Sequence, residues 1–170
     1  YGLIQGFTEF IPVSSTAHLK VISLLLGIDD PGASLSAIIQ IGSVLALLWY
    51  FRKYIFKFRN QTSNKFLDYF FKDRLFKSIL IGTLPILLLG GCIKLFAPYF
   101  FDNILRSNFS IALVSILMAF FMYLADNSKK GSVNLTNYKY SDIFLIGFSQ
   151  AFAIFPGVSR SGVTISTALM

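Results

Sequence analysis

The sequence predicts an all-α polytopic membrane protein built as an inverted-topology repeat. Each half is expected to be a re-entrant helical hairpin plus three transmembrane helices, with the second half truncated. Three observations predict this. Hydrophobic residues make up 55% of the 170 positions and charged residues only 14%, against about 25% charged in a soluble domain. Apolar runs of near-spanning length recur at Ser34–Phe51, Ser78–Pro98 and Phe109–Ala125, each able to cross a hydrocarbon core of about 30 Å. Two polar, proline-broken stretches lie at either end of those runs. Strict apolar/polar alternation is absent, which excludes a membrane β-barrel.

Residues 1–13 and 14–28 are each too short to span. Pro12 removes a backbone donor between them, and Ser14, Ser15 or Thr16 can cap a new helix. Together they suit a re-entrant hairpin, whose irregular backbone needs cover from protein or water. Asp29-Asp30-Pro31-Gly32 reads as a turn. The first span covers 34–51 and ends in the interfacial cluster Trp49, Tyr50 and Phe51. Residues 52–77 form a basic loop that accommodates a short surface helix around Phe66, Leu67, Tyr69, Phe70 and Phe71. The second span covers 78–97, where Thr83, Pro85, Gly90 and Gly91 suggest a bend or close packing. Cys92 lies there, can form no intrachain disulfide, and is expected to be a packing residue. A short turn follows, then the third span at 107–125 and a polar loop at 126–141. The first repeat is thus 1–141, and the second begins at 142–170.

The second short apolar segment, from 142 to Pro156-Gly157, resembles the first. Both run Gln, small residue, Phe, then apolar residues, Pro, and Val-Ser. Three spans separate them, and an odd number of crossings inverts the second copy. Inverted repeats with broken helices build sites at the membrane midplane. The chain starts without methionine and stops shortly after a helix begins near Arg160, so we expect it to belong to a longer protein. No cleavable signal pattern is present.

The net charge of +7 raises nucleic acid as a partner. However, eleven of the fifteen Lys and Arg fall in the loops 52–77 and 126–141. That is a topology signal, which places those loops in the cytoplasm and opens the first hairpin outward. No nucleic-acid partner is expected.

The chemistry concentrates in the two broken stretches. Gln5 and Glu9 are four apart and share a helix face. A carboxylate at membrane depth costs roughly 2.5–3.5 kcal/mol, and such residues are functional by default. A lone histidine on an apolar face is ordinarily a hydrogen-bonded core residue. Here Ser14 and Ser15 stand one turn before His18, which is nucleophile–base spacing. In the other stretch Ser159, Ser161 and Thr164 offer hydroxyls, and Arg160 offers a planar fork suited to phosphate oxygens. A helix start at that point favours anions. An anion cradle, a carboxylate and a hydroxyl–imidazole pair in a membrane point to a phosphorylated lipid.

Gln5-x-x-x-Glu9-Phe-x-Pro12-Val-Ser-Ser-Thr-x-His18, together with Pro156-Gly-Val-Ser-Arg-Ser-Gly-x-Thr164, resembles the undecaprenyl-diphosphatase (bacitracin-resistance) family. The Asp30-Pro-Gly turn and Ala37-Ile-Ile-Gln40-Ile-Gly42 are also similar to it. Gln5 stands where many members have Glu, and Ala17 where Gly is common. The resemblance implies a multi-pass bacterial inner-membrane enzyme hydrolysing undecaprenyl diphosphate to undecaprenyl phosphate and inorganic phosphate. That reaction recycles the carrier for peptidoglycan synthesis and confers bacitracin resistance. It implies Glu9, Ser15, His18 and Arg160 as catalytic residues, and Gln5, Ser14, Thr16, Ser159, Ser161 and Thr164 as substrate-binding residues. It also implies a divalent cation, Mg²⁺ or Ca²⁺, which Glu9 would hold together with diphosphate oxygens. The nucleophile stays open between Ser15, His18 and a water activated by His18. A flippase of polyprenyl phosphate lipids is the alternative activity, a lipid-binding subunit of a wall-synthesis complex is a third, and homodimerisation is left open.

Overall fold

The computed structural model describes residues 1–30, 32–53, 74–97, 99, 104–128 and 138–170. The surface helix expected around residues 66–71, and most of the basic loops, lie outside the described residues. Seven α-helices account for most of the rest. They are α1 (Gly2–Thr8), α2 (Ser15–Leu26), α3 (Gly32–Tyr50), α4 (Arg74–Phe96), α5 (Asn108–Asp126), α6 (Tyr140–Ala151) and α7 (Arg160–Leu169). A single 3₁₀ turn, Phe152–Ile154, follows α6. No strand occurs among the described residues.

Two of these helices are long and apolar enough to cross a membrane. They are Phe76–Phe96, with mean hydropathy 2.1, and Asn108–Asp126, with mean hydropathy 2.0. A soluble core helix would be buried, yet none of the apolar window of α4 is. Leu87 and Leu88 on α4, and Phe109 and Ile116 on α5, are all more than half exposed. Side chains of that kind at that density belong in hydrocarbon. The first expected span, 34–51, falls on α3, whose apolar part does not reach the length of the other two. That part, Ser34–Tyr50, counts among the shorter apolar helices, although all 19 residues of α3 reach about 28 Å at 1.5 Å per residue. Pro85 sits inside α4, where it removes the donor that would bond the Ile81 carbonyl. Cys92 is exposed on α4 rather than packed, which corrects the expectation for it.

Both broken stretches form as helix, break, helix. In the first, α1 ends at Glu9 and α2 starts from Ser14, whose hydroxyl accepts the Ala17 N–H at 3.5 Å. In the second, the chain runs from α6 through the 3₁₀ turn to Ser159, whose hydroxyl accepts the Gly162 N–H at 3.2 Å. Each cap satisfies a donor that a helix start leaves free.

The two stretches are brought together by close packing. Helix α6 lies along α4, and α7 lies against α5 and α6, while α1 touches α2 and α3, and α2 touches α5. The crossing of α4 and α6 is made by two glycines: a Cβ on Gly147 would stand 2.4 Å from the Gly82 carbonyl oxygen. Gly157 has φ 106°, a conformation open to glycine, and a Cβ there would stand 2.8 Å from the Ile111 oxygen. The second break is therefore pressed against the backbone of α5.

The turn after α2 is held by charge. Asp30 accepts from Lys20 Nζ at 2.8 Å and Arg106 Nη2 at 3.4 Å. Partial burial pushes its carboxyl up. The Lys20 hydrogen bond, the Gly32 N–H and the charges of Lys20 and Arg106 outweigh that and leave it below its ordinary value. A depressed folded-state pKa stabilises the fold above the unfolded pKa, and the gain is lost as pH falls through the folded value. Asp30→Asn is therefore expected to cost up to about 1 kcal/mol at neutral pH, read as the unfolding midpoint in detergent. The gap between the two proteins should close in acid below the ordinary carboxylate range.

Candidate active site

A cleft of about 430 Å³ opens where the two breaks meet. Gln5, Glu9, Ser14, Ser15 and Thr16 line it from the first stretch, and Ser159, Arg160, Ser161 and Thr164 from the second. The two motifs, more than 140 residues apart in sequence, thus form one site. Helices α2 and α7 both start there, so two sets of free N–H groups and two positive helix ends favour an anion.

The decisive contact is between a hydroxyl and a carboxylate. Ser15 Oγ donates to Glu9 Oε2 at 2.7 Å. Glu9 Oε1 accepts from Gln40 Nε2 at 2.8 Å. Gln40 on α3 therefore fixes the plane of the carboxylate, so that one oxygen faces Ser15. Across the cleft Arg160, the first residue of α7, is exposed. No side-chain bond engages its guanidinium among the described residues. Ser159 Oγ stands 3.2 Å from Ser161 Oγ, and Thr164 Oγ1 donates to the Arg160 carbonyl at 2.9 Å.

Gln5 is 3% exposed, and its Oε1 has no hydrogen-bond partner among the described residues. A buried acceptor left so costs about 1–3 kcal/mol, and such groups call for an explanation. Gln5 and Glu9 are both among the residues that line the cleft.

His18 is the one predicted site residue that the structure does not place on the cleft. It lines a neighbouring cavity with Val13, Lys20, Asn108 and Ser115. Its Nδ1 lies 3.0 Å from the Ser14 carbonyl, which also accepts the His18 backbone N–H. Ser14 has φ 60°, an uncommon conformation for a residue other than glycine. The imidazole thus clasps the strained cap from which Ser15 projects. Sequence reasoning gave no site role to Gln40, Ser36, Thr8 or Gln150, all of which line the cleft. The signal for Gln40 was an amide in the middle of an apolar helix.

These residues match a known family. The model of the bacitracin resistance protein BacA family matches residues 1–170. The chain belongs to this family. It is 75% identical over 170 residues to an undecaprenyl-diphosphatase of Prochlorococcus marinus strain AS9601, covering all of this chain and 62% of that protein. It is 74% identical to the protein of that name in strain MIT 9301, covering 64% of it. A more distant relative of the same name, in strain NATL2A, is 45% identical over 176 residues and is covered to 62%. The chain spans less than two thirds of the length of these curated relatives. Family membership and the exposed apolar helices make this a membrane protein.

Proposed function

We propose that this protein is a phosphatase that hydrolyses undecaprenyl diphosphate to undecaprenyl phosphate and inorganic phosphate. The observation that carries the reading is the 2.7 Å hydrogen bond from Ser15 to Glu9, in a cleft whose opposite wall presents Arg160. The names of the relatives supply the substrate.

Phosphoryl transfer is mainly positioning and charge neutralisation. Arg160 and the N–H groups at the start of α7 bind the diphosphate. Glu9 takes the Ser15 proton as Oγ forms a bond to the terminal phosphorus. The anhydride P–O bond breaks, and the lipid monophosphate leaves with the electron pair. Glu9 gives that proton to the departing monophosphate, and the carboxylate so restored deprotonates a water that attacks the phosphoserine. The P–Oγ bond breaks, orthophosphate is released, and the proton on Glu9 passes to Ser15 Oγ. His18 supports Ser14 and thereby the aim of Ser15. The buried, unpartnered Gln5 oxygen and the Glu9 carboxylate suit a hard divalent cation such as Mg²⁺ or Ca²⁺. No cluster of three acidic, His or Cys side chains occurs among the described residues, so diphosphate oxygens would have to complete the ligand set. The cation would neutralise charge on those oxygens when bound.

The architecture we infer is an inverted repeat of re-entrant hairpins. Gln5 stands nine positions before the cap Ser14, and Gln150 nine before the cap Ser159. Counting from the caps, Ser15 and Arg160 hold equivalent positions. Three long helices lie between the two units. The basic loops put their side in the cytoplasm, with the protein in the bacterial inner membrane and the first hairpin open to the outer face. The product would return to peptidoglycan synthesis, and its production would underlie bacitracin resistance.

The test is phosphate release from undecaprenyl diphosphate by the full-length protein in detergent, with and without Mg²⁺. Multiple turnovers are expected. A folded protein that binds the lipid but releases no phosphate with any divalent cation would sink the reading and leave a lipid-phosphate flippase.

A further inference from the structure

A second cavity, of about 620 Å³, shares a wall with the cleft: Thr16, Ala153, Val158 and Arg160 line both. Its remaining charged lining is Lys94, in the last turn of α4, and Arg106, ahead of α5. Three cations from three parts of the chain thus line one space, and no Asp or Glu lines it. Arg106 is oriented by Asp30, but at 3.4 Å, and the same carboxylate oxygen takes Lys20 at 2.8 Å. That group of three charges is therefore net positive. Among the described residues Lys94 has no ion pair or hydrogen bond from its side chain.

A lysine in the last turn of a helix complements the helix dipole. That accounts for Lys94 alone, and not for its sharing a chamber with Arg106 and Arg160. The rest of the wall includes Ile86, Ile93 and Phe155. Cations gathered against an apolar wall repel one another, and an anion among them relieves that cost. Arg160 stands at the junction, in the wall of both spaces.

We infer that this chamber is a second phosphate site. It takes the orthophosphate released in the cleft, handed over past Arg160, before it leaves the protein. The source of that phosphate rests on the activity proposed above. A phosphorylated lipid headgroup has the same chemistry, so the measurements must separate the two.

The test uses the full-length protein in detergent and its Lys94→Gln and Lys94→Arg variants. Lys94 is exposed, so its replacement should leave the fold intact. Inhibition of lipid diphosphate hydrolysis by added orthophosphate should weaken about tenfold in Lys94→Gln, as the loss of one charge-assisted contact implies. It should be kept in Lys94→Arg, with KM for the lipid within about twofold in both. A rise in KM with unchanged orthophosphate inhibition would overturn the assignment in favour of a headgroup site. No change in either quantity would overturn the phosphate site altogether. Broadening of the orthophosphate ³¹P resonance by each protein reads the chamber without turnover. A protein that hydrolyses nothing, yet loses this broadening in Lys94→Gln, would fail the proposed activity and keep the chamber.

Discussion

Glu9→Gln is expected to lower phosphate release by about 10³-fold, with little change in KM. A positioned general base contributes about 10²–10⁴-fold, so the loss corresponds to about 4 kcal/mol at 1.36 kcal/mol per decade. The substitution is nearly isosteric. Gln40 would still find an oxygen at position 9, and the cleft wall would keep its shape. What disappears is the group that accepts the Ser15 proton. Ser15→Ala should be at least as damaging, and the double variant should be hardly worse than either single one, because residues acting as a unit are grossly non-additive. A multiplicative loss in the double variant would mean that Glu9 and Ser15 act in different steps. Rapid acid quench with ³²P-labelled substrate should leave label on Ser15 in the unmodified protein and none in Ser15→Ala. Full activity in Glu9→Gln would exclude the carboxylate as base. Label on His18 would move the nucleophile to a residue that the structure places outside the cleft.

That placement of His18 marks the limit of what the chain discloses as a string. The spacing to Ser14 and Ser15 is real, and the structure uses it, but for a different bond. Ser14 lies outside the helix as its cap, with φ 60°. Its carbonyl, and not its hydroxyl, lies within 3.0 Å of the imidazole. Helical spacing presumes helical backbone at both ends, and a cap violates that. Gln40 was hidden for the opposite reason. A single amide in an apolar helix satisfies itself equally well by packing against another helix, and nothing local says that its partner is a carboxylate 31 residues away. The breaks were plain, since proline cannot continue a helix and Ser14 and Ser159 are good caps. The long helices were plain because apolar length is a local property. The Gly82–Gly147 crossing could only be suspected, since glycine in an apolar helix marks a close approach without naming the partner.

Arg160→Ala is expected to reduce kcat/KM by about 10³-fold, and Arg160→Lys by about 10²-fold. A planar guanidinium can hold two phosphate oxygens at once, whereas an ammonium is a point charge. Charge retention alone should therefore recover only part of the loss. The exposed position of Arg160 and the absence of a side-chain partner among the described residues make the substitution cheap for the fold. Unfolding in detergent should shift by no more than about 0.5 kcal/mol, so a loss of activity cannot be ascribed to collapse. The split between constants carries the mechanism. If Arg160 only captures the ground-state diphosphate, KM rises and kcat stands. If it stays on the terminal phosphoryl group as charge develops, kcat falls as well. Arg160 lines the same cleft as the Ser15–Glu9 pair, at the start of α7, and so the larger share is expected in kcat. A folded Arg160→Ala protein with kcat/KM within threefold of the parent would separate the two motifs and dissolve the single site.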